Sequence, residues 1–264
     1  MVFSGVEIDR PIEQEPATKG MLMDRKLWMT AAAATLALTI TGAQAPAPTH
    51  GKVDPKINDQ FQDEANVKRF IKSFEGHDRE VAAKRDEIVA ALRLKPGMAV
   101  ADVGAGSGMF TRLMAEKVGS EGAVYAVDIS REFLKHIDAQ SAKLGQKQVK
   151  TILGSQNGTN LEPESVDLVF LSDVYHHFED HPTMLASIKK TLRPGGTLIL
   201  IEFDRKEGKS SEFILKHVRA GQADFRKEIQ AAGFQPADGP TPKLKENFFA
   251  RFEKPADPAA VKKP

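Results

Sequence analysis

Val100–Phe110 reads VADVGAGSGMF, an apolar run that closes on an acid and breaks at once into three alternating glycines. A buried strand entering a tight turn has this form, because glycine lets the backbone adopt positive φ and approach a bound molecule closely. The rhythm around it is consistent. MAVADV, AVYAVDI, VKTIL, VDLVFLS and GTLILIEF read as strands, and MFTRLMAEKV, Arg131–Leu144 and HPTMLASIKKTL read as the helices between them. Apolar strands alternating with helices of about 10–15 residues specify a parallel sheet covered on both faces.

The flanks read differently. Ile57–Phe74 and HDREVAAKRDEIVAALRL carry apolar residues at helical spacing, giving two helices before the first strand, and Pro96-Gly97 ends the second. Beyond a helix at ADFRKEIQAAGF, the segment QPADGPTPKLKENFFARFEK supplies two strands with no helix between them. A parallel crossover needs a dozen or more residues, so an antiparallel hairpin at the sheet edge is expected. There is no internal repeat.

Composition narrows the function. The chain has 264 residues, 37 basic and 36 acidic, for a formal net charge of +1. No nucleic-acid partner is expected from that balance. Cysteine is absent, which removes disulfides, thiolate nucleophiles and cysteine zinc sites.

The N-terminal region speaks to location. Arg25 and Lys26 precede an apolar stretch, Leu27–Ile40, and the small residues AQA follow at Ala43–Ala45. Basic, apolar and small segments in that order make a secretory signal cleaved after Ala45, and the expected location is the periplasm. The apolar stretch is shorter than the roughly 20 residues a bilayer crossing needs, so no stable membrane span is expected after processing. An uncleaved anchor, or an Ala-rich helix of a cytoplasmic protein, is the alternative. The expected divisions are 1–45 extension and signal, 46–79 leader and lid helices, 80–254 main domain, and 255–264 disordered tail.

The glycine turn follows a strand at its carboxyl end, where open parallel sheets bind ligands. Two ligand classes use such turns: phosphate-bearing dinucleotides, and a sulfonium-bearing methyl donor. The dinucleotide fingerprint wants glycine at 109, where this chain has Met109. Asp102 at the mouth of the turn would repel a pyrophosphate and favour a cationic ligand. Asp128, ending the second strand, can accept both hydroxyls of a ribose.

Four ordered blocks, VADVGAGSG, VYAVDIS, VDLVFLSDVYHHFED and LRPGGTLILIEF, together resemble the class I S-adenosylmethionine-dependent methyltransferases, especially the small-molecule branch related to quinone biosynthesis. The resemblance implies an α/β, Rossmann-like, doubly wound, seven-stranded and mostly parallel sheet with an antiparallel C-terminal hairpin. It implies S-adenosyl-L-methionine as cofactor, with Asp102, Gly104, Ala105 and Gly106 at its amino-acid part, Asp128 on the ribose and Ile129 against the adenine. Ser155 stands where the family usually has an acid near the adenine amino group.

The acceptor side is carried by SDVYHHFEDH. Asp173 is a candidate to orient acceptor or cofactor, and His177 a candidate base or orienting group. Neighbouring histidines diverge on a helix, so one of His176 and His177 is expected in the pocket. Glu202, Asp204, His217 and Arg219 are further candidates, with Arg219 suited to an anionic acceptor. Phe70, Phe74, His77 and Arg79 belong to a candidate lid. His176, His177, His181 and His217, with Asp173 or Asp204, could gather around a divalent ion, but no recognised ligand spacing occurs and no metal is assigned. The expected function is methyl transfer to a small molecule. The alternative is a noncatalytic small-molecule binder on the same fold.

Overall fold

The computed structural model describes Val53 and residues 56–256. The expected extension and signal, residues 1–45, most of the expected leader and all but two residues of the expected 255–264 tail lie outside the described residues. Among the described residues no helix is long and apolar enough to cross a membrane.

The strands are β1 (Ala99–Val103), β2 (Ala123–Asp128), β3 (Val149–Leu153), β4 (Val166–Ser172), β5 (Leu192–Phe203), β6 (Gln235–Pro236) and β7 (Asn247–Glu253). They form one seven-stranded sheet in the order β3-β2-β1-β4-β5-β7-β6. The pairs among β1 to β5 are parallel; β7 runs antiparallel to both β5 and β6. The expected fold is therefore present, including the late hairpin. Strand order reverses between β1 and β4, so the loops leaving these two strands border one crevice.

The helices are α1 (Glu64–Phe74), α2 (Glu80–Ala83), α3 (Arg85–Ala91), α4 (Met109–Val118), α5 (Arg131–Leu144), α6 (His181–Thr191), α7 (Glu212–His217) and α8 (Gln222–Ala231). Their ends follow local chemistry. Asp63, Ser130 and Asp180 cap α1, α5 and α6 by accepting from the backbone N–H of Asn66, Phe133 and Thr183. Both N-terminal helices depart from expectation, the first being a 3-10 turn, Asp59–Phe61, followed by the separate α1. The second N-terminal helix is divided at Lys84, whose ψ of 9° departs from helical geometry. The six-residue α7, started by Ser211 accepting from Ile214 N–H, is too short to show a period in the sequence.

Alternation along the central strands assigns side chains to two cores. Val100, Leu168, Phe170, Ile199 and Ile201 face a cluster with α2, α3 and α4. Ala101, Val169, Leu171, Leu198 and Leu200 face the other, with α6 and α8. Phe170 is fully buried and meets Phe110 edge to face at 4.9 Å. Phe170→Ala is expected to cost about 3–5 kcal/mol, and Leu144→Ala, at a half-exposed site, less than about 0.5 kcal/mol. Urea denaturation of both variants checks this; equal losses would contradict the core assignment.

Candidate functional site

A cavity of about 680 Å³ opens at the carboxyl ends of β1, β2, β4 and β5. The glycine turn is one wall. Gly104 has φ +74°, and a Cβ there would lie 2.3 Å from Val174 Cγ2, so only glycine lets the loops after β1 and β4 meet. The N–H groups of Gly104 and Ala105 donate to Val127 O at 2.8 and 3.1 Å, pinning the turn to β2. Above it, Phe74 of α1 packs over Gly106, 3.2 Å from where a Cβ would stand.

Asp128 is buried beside this turn. One carboxylate oxygen accepts from Gly106 N–H at 2.9 Å and the other from Ser130 N–H at 2.8 Å. Each oxygen keeps capacity for a second hydrogen bond. Burial pushes its pKa up to about 6, against the pull of those backbone donors.

Asp102 departs from its expected part. It lines the cavity, but it is 3% exposed and its carboxyl accepts from the Thr111 hydroxyl at 2.6 Å. Burial pushes it up to about 7, so near neutrality it is only partly charged. Its position at the end of a buried strand weakens the electrostatic discrimination read from the sequence. Ile129 and Ser155 both border the cavity, Ser155 in a turn where its hydroxyl accepts from Asn157 N–H at 3.3 Å.

The opposite wall follows β4. Asp173 holds a left-handed backbone, φ +50°, of the kind found where a local structure is over-determined. Its carboxylate is clamped, accepting from Arg79 Nη2 and from Asn247 Nδ2, both at 2.6 Å. Burial raises its pKa to about 6 while Arg79 pulls it down. These contacts make it a fixed orienting group rather than a free base.

His176 and His177 both line the cavity, correcting the expectation that only one would. They lie on a three-residue 3-10 turn, Tyr175–His177, and the cavity wraps around it. Their rings are 4.3 Å apart. Burial, with His176 and His217 alongside, pushes His177 down to about 2, so it presents a neutral ring and is a poor base. Its Nδ1 lies 3.2 Å from Asn58 Oδ1.

The remaining candidates divide. His217 borders the cavity, and Glu202 is fully buried behind His176. Asp204 pairs with Lys206. Arg219 does not serve an anionic acceptor: both its Nη atoms donate to Glu228 at 2.7 Å in a buried pair, away from the cavity wall. His181 lies 3.7 Å from the same Glu228, apart from the other histidines. His77 is exposed and off the cavity, whereas Phe70, Phe74 and Arg79 line it.

Several contributors carried no sequence signal. Asn58 donates to His177 O at 3.1 Å, Asn247 holds Asp173, and Glu80 accepts from the backbone N–H groups of Lys245, Glu246 and Asn247 at 2.6, 2.8 and 3.0 Å. The last contact ties the N-terminal cover to the loop before β7. Phe61, Phe70, Phe74 and Phe133 form a chain of ring contacts 5.1 to 6.0 Å apart across the cover.

Residues 94–239 match the family model described as a methyltransferase domain, more than half of the chain. The chain belongs to the class I S-adenosylmethionine-dependent methyltransferases. Among its relatives, phosphoethanolamine N-methyltransferase 1 of Zea mays is 30% identical over 148 residues, covering 56% of this chain and 28% of that protein. Demethylmenaquinone methyltransferase of Bacillus mycoides is 28% identical over 152 residues, covering 56% and 62%. The chain thus spans less than two thirds of the length of either relative. The crystal structure of a SAM-dependent methyltransferase from Aquifex aeolicus shares the fold, with a TM-score of 0.61 and 22% identity over 72% of this chain and 98% of that one.

The cavity fits the cofactor of this methyltransferase family. Asp128 has room to accept ribose hydroxyls, Ile129 offers an apolar surface, and the turn from Gly104 to Gly106 borders the cavity with its backbone. Asp128 supplies the pH test. An ionised carboxylate accepts ribose hydrogen bonds better than a neutral one, so S-adenosylhomocysteine affinity is expected to rise between about pH 5 and 8 as Asp128 loses its proton. Stability of the ligand-free fold should run the other way. The unfolded acid ionises at its ordinary value while the folded one holds its proton to about 6, so raising the pH through that window favours unfolding. In Asp128→Asn the affinity should fall roughly 10- to 100-fold, the worth of one or two charge-assisted hydrogen bonds, and its pH slope should flatten. Calorimetry across pH checks both; an unchanged slope would contradict the ribose assignment.

Proposed function

We propose that this protein transfers the methyl group of S-adenosylmethionine to a small acceptor with an apolar body. The observation that carries this reading is the arrangement of one covered cavity. The glycine turn and Asp128 lie on one side of it, and the clamped Asp173, the histidines and Phe203 on the other.

The bound cofactor supplies an electrophilic methyl on a positive sulfonium. The chain's own residues do the rest by position. Asp128 holds the ribose, Gly104 to Gly106 follow the amino-acid part, Ile129 faces the adenine and Ser155 lies near its amino group. Asp173, held by Arg79 and Asn247, stands on the β4 side and orients what lies there. The aromatic cover excludes water, which strengthens every charge interaction inside. His177 orients the acceptor as a neutral ring, and Phe203, Phe213 and Ile214 give the acceptor an apolar wall. Such a site works through alignment and desolvation, which suit an acceptor atom already nucleophilic.

Export is part of the same proposal. The order of basic, apolar and small residues before Pro46 supports delivery to the periplasm. N-terminal sequencing of the mature chain from its host should then find Pro46 first, and an intact Met1 would overturn export.

Incubating the full chain with label-bearing S-adenosylmethionine and host extract tests the activity. Mass spectrometry should find the label on a small molecule, with matching release of S-adenosylhomocysteine. Cofactor binding without release against any acceptor would make the protein a binder instead.

A further inference from the structure

We propose that His176, His177 and His217 form a binding site for a divalent first-row transition-metal ion, with a coordination position left open to the cavity. One ring nitrogen of each lies within 4.8 Å of the other two. The three come from separate elements. His176 and His177 stand on the 3-10 turn after β4, and His217 ends α7. The His217 ring meets His176 at 4.8 Å and His177 at 5.3 Å between centroids, at steep interplanar angles of 71° and 69°.

Hydrogen bonds fix which nitrogen is bare on two of the rings. His176 Nδ1 lies 2.8 Å from a carboxylate oxygen of the fully buried Glu202. A carboxylate accepts, so Nδ1 carries the hydrogen and Nε2 is left as a lone pair. That Nε2 is buried and has no hydrogen-bond partner, on a side chain only 1% exposed. Asn58 does the same for His177. Its Nδ2 donates to His177 O at 3.1 Å and to Gln156 Oε1 at 3.2 Å, so its oxygen is the atom facing His177 Nδ1 at 3.2 Å. Nε2 of His177 is again the free acceptor.

A buried nitrogen lone pair with nothing to accept from is costly. His176 Nε2 is such an atom, and placing it among the ring nitrogens of His177 and His217 makes a cation its natural partner. Metal-binding histidines characteristically donate their second N–H to a carboxylate or carbonyl, which fixes ring and tautomer; Glu202 and Asn58 are placed to do this. Three neutral imidazoles with no thiolate suit zinc, iron, nickel or copper(II) rather than magnesium or calcium. Three protein ligands leave one position of a tetrahedral ion free, as in catalytic rather than structural zinc sites.

Bonds of about 2.0–2.1 Å to one ion bring nitrogens to about 3.4 Å from one another, so the rings must close up by as much as about 1.4 Å from their 4.8 Å limit. His217 can supply that movement. It is half-buried at the end of a six-residue helix and stacks on Phe213, which is 62% exposed. Since the ion would face the acceptor side of the cavity, its open position suits an acceptor oxygen, which it would hold in place. That last step rests on the methyl-transfer reading; metal binding does not.

The test is cobalt(II) titration of the untagged, chelator-stripped full chain, followed by visible absorption. A ligand-field spectrum saturating at one ion per chain and displaced by zinc is expected. His217→Ala should lose roughly 100-fold or more in metal affinity, and Glu202→Gln roughly 10- to 100-fold. S-adenosylhomocysteine affinity measured on His217→Ala should remain that of the parent, showing an intact fold. No stoichiometric spectrum, or one unchanged by His217→Ala, would overturn the metal site. A chain that binds S-adenosylhomocysteine yet gives no cobalt spectrum would overturn it while leaving methyl transfer standing. A cobalt spectrum without nucleoside binding would uphold the metal site and overturn the methyl-transfer reading.

Discussion

The contact between Gly104 and Val174 is the constraint on which the site depends. Sheet order reverses between β1 and β4, and a crevice must open where their loops diverge. The missing Cβ at Gly104 lets Val174 close the floor of that crevice. Everything polar is then arranged around one floor. Asp128 lies beyond the glycine turn on the β2 side, and Asp173, one residue before Val174, on the β4 side. The short approach sets the separation between the two ends of the cavity, and with it the alignment that the proposed methyl transfer needs.

The cover is fastened to this floor by charge rather than by packing alone. Arg79 reaches from the N-terminal segment to Asp173 and lies 4.9 Å over the Phe74 ring. Glu80, its neighbour, gathers three consecutive backbone N–H groups from the loop before β7. These two adjacent residues join the cover to β4 and to the late hairpin at once. The contact that orients Asp173 is thus one of those that hold the cover in place, so cover and alignment are linked in one pair of residues.

The strands and central helices were legible in the sequence because each carries its own period and its own punctuation. α4, α5, β3 and β4 fall where their apolar runs and flanking glycines or caps put them. The division at Lys84 and the six-residue α7 were not legible, since neither is long enough to show a period. At the site, the glycines, Asp128 and Asp173 announced themselves by standing at strand ends. Asn58, Glu80 and Asn247 did not, because their partners lie 74 to 167 residues away and no local pattern records such contacts. The histidine pair misled for a related reason. A rule for α-helical faces does not hold on a three-residue 3-10 turn that the cavity surrounds. Asp102 shows the limit of reading charge from position, since burial and Thr111 leave it only partly ionised near neutrality.

The central claim is that this crevice takes a phosphate-free adenosine ligand, with Asp128 on its ribose. Calorimetric titration of the full chain with S-adenosylhomocysteine, and separately with NAD, tests it most directly. The account predicts one bound S-adenosylhomocysteine per chain and no measurable heat from NAD. Tight NAD binding with no uptake of the methyl-cycle nucleoside would contradict it.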